Sequence, residues 1–134
     1  MNYKVSDIIR IVQANLLQLS ADRIVEHLLY DSRRVWFPET SAFFALPGKK
    51  RKGIDFIPEL YEKGVRVFVV NENDAGKIID RFSDASILSV KDVLTALQQL
   101  AAYHRSQFHI PVIGITGSNG KTIVKEWLSQ FLKS

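Results

Sequence analysis

Residues 114–122 read Gly-Ile-Thr-Gly-Ser-Asn-Gly-Lys-Thr. Residues 111–116 (PVIGIT) before them predict a buried strand. Residues 120–133 after them predict a helix, with Val124, Trp127, Leu128, Phe131 and Leu132 at the spacing i, i+3, i+4, i+7, i+8. Strand, glycine-rich turn and helix in that order are the setting in which a backbone loop cradles phosphate. Glycines let successive N–H groups converge on an anion, and the helix presents its unpaired N–H groups and positive dipole end to it. Lys121 would reach the β- and γ-phosphates as a point charge, and the Thr122 hydroxyl would ligate Mg²⁺. The general spacing G-x-x-x-x-G-K-[ST] asks for glycine at position 115, where the chain has Ile; its glycines stand at 114 and 117. The plainer reading is a glycine-rich turn with an incidental Lys-Thr, but strand, loop, Lys-Thr and helix coincide.

A second group of polar residues lies upstream. Asp31-Ser32-Arg33 suits a turn, because Asp and Ser bond to nearby backbone. The run Lys49–Lys52 follows a compact apolar segment and is either a solvated turn or a cationic attractor for a nucleotide diphosphate. His27, His104 and His109 have no metal-ligand spacing, so structural roles are expected of them. Trp36 and Phe37 precede Pro38 in a loop, where they would pack under a ligand or cap the core; Trp127 reads as core in an intact protein.

The elements that must position these residues alternate. Ser6 is a candidate cap for a short helix carrying Ile8, Ile9 and Val12. Short strands are predicted at 15–19, 24–30, 42–46 (AFFAL), 65–70 (VRVFVV) and 86–90 (SILSV). The β-branched, almost wholly apolar run 65–70 suits a parallel strand covered on both faces. A helix is predicted over 54–63, with Pro58 in its first turn and Gly64 as its stop. A shorter one is predicted over 75–81. A long helix is predicted over 91–106, with Ser89 and Asp92 as a capping box and Val93, Leu97, Leu100, Ala101 and His104 on one face. The class is therefore α/β with at least partly parallel pairing. A domain boundary is expected near Val90, giving units 1–90 and 91–134.

Composition limits the functional classes. The chain has 134 residues, 46 % apolar and 24 % charged, which permits one domain and a fraction and excludes global disorder. No apolar run approaches the ~20 residues of a membrane span, and the N-terminus lacks the apolar stretch of a signal peptide. Cysteine is absent, which excludes disulfides and thiolate metal sites and fits a reducing cytoplasm. The net charge is +4, and the run Lys49–Lys52 accounts for all of it. So local a patch argues against a nucleic-acid binder, whose basic residues spread over a face.

Thr116–Thr122 (TGSNGKT) resembles the ATP loop of the Mur ligase superfamily. Asp31-Ser32-Arg33 resembles the D-S-R motif of the members that add the third peptide residue (MurE-type) and the terminal dipeptide (MurF-type). Phe44-Ala45-Leu46-Pro47-Gly48 resembles their F-x-A-L-x-G strand, and Gly64–Val70 their next strand. Where they carry D-G-H-x-F, this chain has Lys52 for the Asp and Ile54-Asp55 around the His position. Lys125-Glu126 gives T-x-x-K-E, closer to the MurF type. Some members of that type are fused to alanine racemase.

The resemblance implies a small mixed-sheet domain that binds a UDP substrate, followed by the first strand, phosphate loop and helix of an ATPase domain. It implies ATP contacts at Gly117, Ser118, Asn119, Gly120, Lys121 and Thr122, with Mg²⁺ at Thr122. It implies UDP-substrate contacts at Asp31, Ser32, Arg33, Phe44, Ala45 and Gly48. Ser32 would bond the uridine diphosphate, and Arg33 would pair with phosphate or brace the loop through Asp31. The implied partners are UDP-N-acetylmuramoyl-tripeptide and D-alanyl-D-alanine, joined in the cytoplasm through an acyl phosphate made from ATP. No complete catalytic set is present, so ligation by these residues alone is not expected. The alternatives are a MurE-type ligase and a self-contained nucleotide-binding module.

Overall fold

The computed structural model describes residues 1–48 and 51–133; Lys49 and Lys50 of the basic run lie outside the described residues. In chain order the elements are β1 (Tyr3–Lys4), α1 (Val5–Val12), β2 (Asn15–Gln18), β3 (Ile24–Val25), β4 (His27–Leu29), β5 (Ser41–Phe44), α2 (Ile57–Glu62), β6 (Val67–Asn71), α3 (Glu72–Ala75), β7 (Ser86–Val90), α4 (Val93–Ser106) and α5 (Lys121–Phe131). Single 3₁₀ turns cover Pro38–Thr40 and Gly53–Phe56.

Five strands form one mixed sheet in the order β2-β7-β6-β5-β4. β4, β5, β6 and β7 run parallel, and β2 is antiparallel to β7 with a register shift between Leu16 and Gln18. β1 and β3 pair as a separate two-stranded ribbon. The class is α/β, as the alternation of elements predicts.

Both sheet faces are covered, which is why the parallel strands are mostly apolar, with Ser41, Ser86 and Ser89 as buried polar residues among them. One face carries Phe43, Phe68, Val70 and Ile87 against Ile57, Leu60, Ile78 and Phe82. The other carries Ala42, Phe44, Val67, Val69 and Leu88 against α1 (Val5, Ile8, Val12) and α4 (Val93, Ala96, Leu100). Helix α4 lies beyond Val90, yet it is part of this core.

Several local expectations shift. Ser6 sits inside α1 and gives its hydroxyl to Asp22, while the Asp7 carboxylate accepts the Lys4 N–H at the helix start. Ser89 is buried in β7, and Asp92 alone caps α4 by accepting the Thr95 N–H at 2.6 Å. Ala96, rather than Ala101, faces the core from α4. The strand predicted over 24–30 is split at Glu26, whose N–H donates to the Thr40 carbonyl. The helix predicted at 75–81 begins earlier, capped by Asn71, and gives way to turns that include Asp80 at φ 63°. Pro58 occupies the first turn of α2, as expected.

Residues 111–116 have no strand partner among the described residues. A parallel strand needs neighbours on its edges and helices on its faces, and the five-stranded sheet already ends at β2 and β4. The link from α4 is held locally. The Arg105 guanidinium donates to the Phe108 carbonyl at 2.6 Å and the Ile110 carbonyl at 3.0 Å. The His104 ring meets Phe108 edge-on and bonds the Tyr3 hydroxyl through Nδ1 at 3.0 Å. Helix α5 buries no residue, and Trp127 is 62 % exposed in this chain.

Candidate functional site

The loops that leave the carboxyl ends of β4 and β5 enclose an open cleft of about 880 Å³. Ligands of open α/β sheets collect at this end of the strands, where backbone leaves the sheet and side chains from separate loops converge. Tyr30, Asp31, Ser32 and Arg33 come from the first loop, and Leu46, Pro47, Gly48, Arg51 and Gly53 from the second. Phe43 forms part of the floor, and Phe56, Glu59 and Lys63 complete the wall.

The Asp31 turn is built by its own side chains. The Asp31 carboxylate accepts the Arg33 N–H at 3.1 Å and grips the Arg33 guanidinium at 2.9 and 2.7 Å. The Asp31 carbonyl accepts the Arg34 N–H. The Arg33 guanidinium, together with the Arg33 N–H donated to the same carboxylate, holds the Asp31 carboxyl down at about 2. Of the two roles open to Arg33, bracing the loop is the one this geometry displays. Ser32 is buried at the base of the turn.

The second loop is shaped by two glycines. A Cβ on Gly48 would collide with the Arg51 carbonyl oxygen, and one on Gly53 would lie 2.5 Å from the carbonyl carbon of Ala45. The Gly53 N–H donates to the Leu46 carbonyl at 2.9 Å. The Lys52 N–H donates to the Asp55 carboxylate at 3.0 Å. Beyond the loop, Lys63 pairs with Glu59 at 2.6 Å.

Asp31, Ser32, Arg33 and Gly48 thus come together at one cleft. Phe44 does not join them. It is fully buried on the opposite sheet face, because successive residues of a strand point to opposite sides. Its neighbour Phe43 is the one that reaches the cleft. Ala45 lines a smaller adjoining cavity of about 190 Å³ with Lys52, Asn71 and Asp74. Tyr30, Arg51, Phe56 and Lys63 were not singled out by sequence; only Arg51 had a signal, as part of the basic run.

The loop expected to hold phosphate has the backbone of a glycine-rich turn into a helix. Gly117 (φ 148°) and Gly120 (φ 78°) hold left-handed backbone that other residues rarely adopt, and Gly120 opens α5. The Lys121 ammonium donates to the Gly117 carbonyl and, at 3.4 Å, to the Ser118 carbonyl. Lys121 and Thr122 border a shallow hollow of about 300 Å³ with Ile113, Ile115 and Lys125. Glycines at the strained positions, an ammonium and a hydroxyl at a helix start form a donor set that fits a phosphate and its Mg²⁺. Among the described residues no group of three His, Asp or Glu is gathered as metal ligands, and no helix is long and apolar enough to cross a membrane. His27 stacks on Phe37 at 4.7 Å, a packing role. Trp36 stands 81 % exposed.

Comparison with known proteins bears on this geometry. Residues 25–105 match the family described as "Mur ligase family, catalytic domain". The UDP-N-acetylmuramoyl-tripeptide–D-alanyl-D-alanine ligase of Synechocystis sp. is 34 % identical over 139 aligned residues, covering 98 % of this chain and 29 % of that protein. The UDP-N-acetylmuramoyl-L-alanyl-D-glutamate–2,6-diaminopimelate ligase of Clostridium tetani is 29 % identical, covering 89 % of this chain and 24 % of that protein. The crystal structure of MurF from Acinetobacter baumannii superimposes with a TM-score of 0.80 at 29 % identity, over 99 % of this chain and 28 % of that one. The chain therefore spans 24–29 % of the length of these proteins.

Proposed function

The chain belongs to the Mur ligase family, and from that premise we propose that it supplies the UDP-substrate unit and the opening of the ATP-binding unit of a peptidoglycan-precursor ligase. The observation that carries this reading is the cleft at the carboxyl ends of β4 and β5, where the Asp31 turn faces Gly48 and Arg51. Its cations suit a diphosphate, and Tyr30 and Phe56 offer apolar area to a base or sugar.

We assign the reaction to the MurF type: ATP activates the carboxylate of UDP-N-acetylmuramoyl-tripeptide, and the amine of D-alanyl-D-alanine attacks the acyl phosphate. The MurF structure that superimposes over nearly the whole chain favours this step. The Clostridium tetani relative favours a second reading, the preceding addition of a diamino acid. Gly117–Thr122 would hold the ATP phosphates, with Lys121 on the terminal ones and the Thr122 hydroxyl on Mg²⁺. That ion, when bound, would neutralise charge on the phosphates. Asp31, Ser32, Arg33 and Gly48 would bound the UDP site. Phe44 and Ala45 support it from within the fold. We place the division between the two units after Ser106, because Val93, Ala96 and Leu100 are packed into the first core. A cytoplasmic location follows from the soluble nucleotide substrates of this reading.

The test is calorimetric titration of the chain with UDP, UDP-N-acetylmuramoyl-tripeptide, the corresponding dipeptide nucleotide and Mg-ATP. Binding of the UDP ligands in the absence of ATP is expected. A preference for the tripeptide nucleotide supports the MurF type, and a preference for the dipeptide nucleotide supports the second reading. Tight ATP binding with no response to any UDP ligand overturns the assignment of the cleft.

A further inference from the structure

Three cations line the cleft among the described residues: Arg33, Arg51 and Lys63. Two of them are already committed. Arg33 is held by both oxygens of Asp31, and Lys63 by Glu59 at 2.6 Å. Arg51 forms no ion pair among the described residues; its guanidinium lies 5.7 Å from the centroid of the Phe56 ring. A guanidinium beside an aromatic face does not spend its in-plane N–H groups on that contact, and their fork matches two phosphate oxygens at once.

The backbone around Arg51 explains the glycines beside it. The Arg51 carbonyl is folded against Gly48 so closely that any side chain there would strike it. Gly53 is pressed on the Ala45–Leu46 backbone and bonded to the Leu46 carbonyl. Contacts that only glycine permits thus stand on both sides of Arg51, at Gly48 and at Gly53.

We propose that Arg51 is the cation that receives the diphosphate of the nucleotide in this cleft, and that Gly48 and Gly53 are positioning residues that hold it at the lip. The proposal rests on the reading of the cleft as a nucleotide-diphosphate site. Among the described residues it separates one unpaired cation from two that serve the protein's own carboxylates. Glu59 then acts as a counter-ion that keeps Lys63 from competing for the ligand.

The test is titration of the intact chain and its variants with UDP, and with uridine as the phosphate-free control. Circular dichroism confirms that each variant is folded. Arg51→Ala is expected to weaken UDP binding by ~10-fold to ~100-fold, the range of a charge-assisted hydrogen bond lost, and to leave uridine within about twofold. Arg51→Lys is expected to recover part of the loss, and Glu59→Gln to strengthen UDP binding by freeing Lys63. Gly48→Ala, if folded, is expected to reproduce the Arg51→Ala pattern. UDP binding by the wild type that Arg51→Ala leaves unchanged overturns this proposal alone. Absence of UDP binding by the wild type overturns the cleft reading, and this proposal with it. Equal losses for UDP and uridine would make Arg51 a structural residue and also overturn it.

Discussion

Replacing Gly53 by alanine places a methyl carbon 2.5 Å from the Ala45 carbonyl carbon, 2.6 Å from its Cα and 2.7 Å from the Leu46 nitrogen. All three are backbone atoms next to β5, a strand held between β4 and β6, so no side chain can swing aside. Ordinary contact begins near 3.4 Å. One of the two segments must therefore move by about 1 Å, and the Gly53 N–H bond to the Leu46 carbonyl is stretched with it. Overpacking of this kind costs ~1–3 kcal/mol, and the lost bond adds ~0.5–1.5 kcal/mol. Together they predict a destabilisation of about 2–4 kcal/mol, a large part of the ~5–15 kcal/mol that holds a domain. With a urea dependence of ~2 kcal/mol per molar, the unfolding midpoint should fall by about 1–2 M. Gly76→Ala is the matched control. It sits in helical backbone with nothing within 4 Å of the added carbon, and should be neutral or slightly stabilising. A Gly53→Ala midpoint within about 0.25 M of wild type, equivalent to roughly 0.5 kcal/mol, would refute the steric argument.

Other outcomes follow from the same geometry. Carbon-detected titration should place the Asp31 carboxyl midpoint at about 2, against an ordinary 3.8, and Arg33→Ala should raise it. Since the folded value is the lower one, the turn's contribution is complete above the ordinary carboxylate range and is lost as pH falls towards 2; a wild-type midpoint at the ordinary value would refute the pairing. Asp92→Ala should cost about 1 kcal/mol by removing the cap of α4, and Asp92→Asn much less, read from thermal melts. Trp127→Ala should change stability by less than about 0.5 kcal/mol, because that ring is exposed; a larger loss in denaturant unfolding would mean that α5 packs on the first unit.

What the sequence revealed follows from how one-sided each signal was. The strand around Val67–Val70 was legible because two covered faces demand an unbroken apolar run. The same property hid which phenylalanine serves the cleft. Phe43 and Phe44 are equally apolar, so only pairing register decides their sides, and it sends Phe44 into the α1–α4 core. The cap of α4 was mistaken by three residues because Ser89 and Asp92 are both good acceptors, and burial in β7 removes Ser89 from the choice. Residues 111–116 have strand composition without neighbours to pair with among the described residues, a condition composition does not report. Within the basic run, no linear pattern distinguishes Arg51 from the lysines. Phe56 beneath the Arg51 guanidinium and Gly48 against its carbonyl are contacts that no linear pattern carries.

The sheet ends on one side at β4, three residues long, and on the other at β2, whose register breaks between Leu16 and Gln18. Exposed strand edges invite other chains to continue the ladder, and Leu16, Leu17 and Leu19 lie open beside one of them. A bulge twists that edge and breaks the even spacing that an incoming strand would need. The short opposite edge offers too few groups to nucleate pairing. The register shift at one edge and the short strand at the other both oppose growth of the ladder by another chain, and a variant that straightened β2 is expected to aggregate first on concentration.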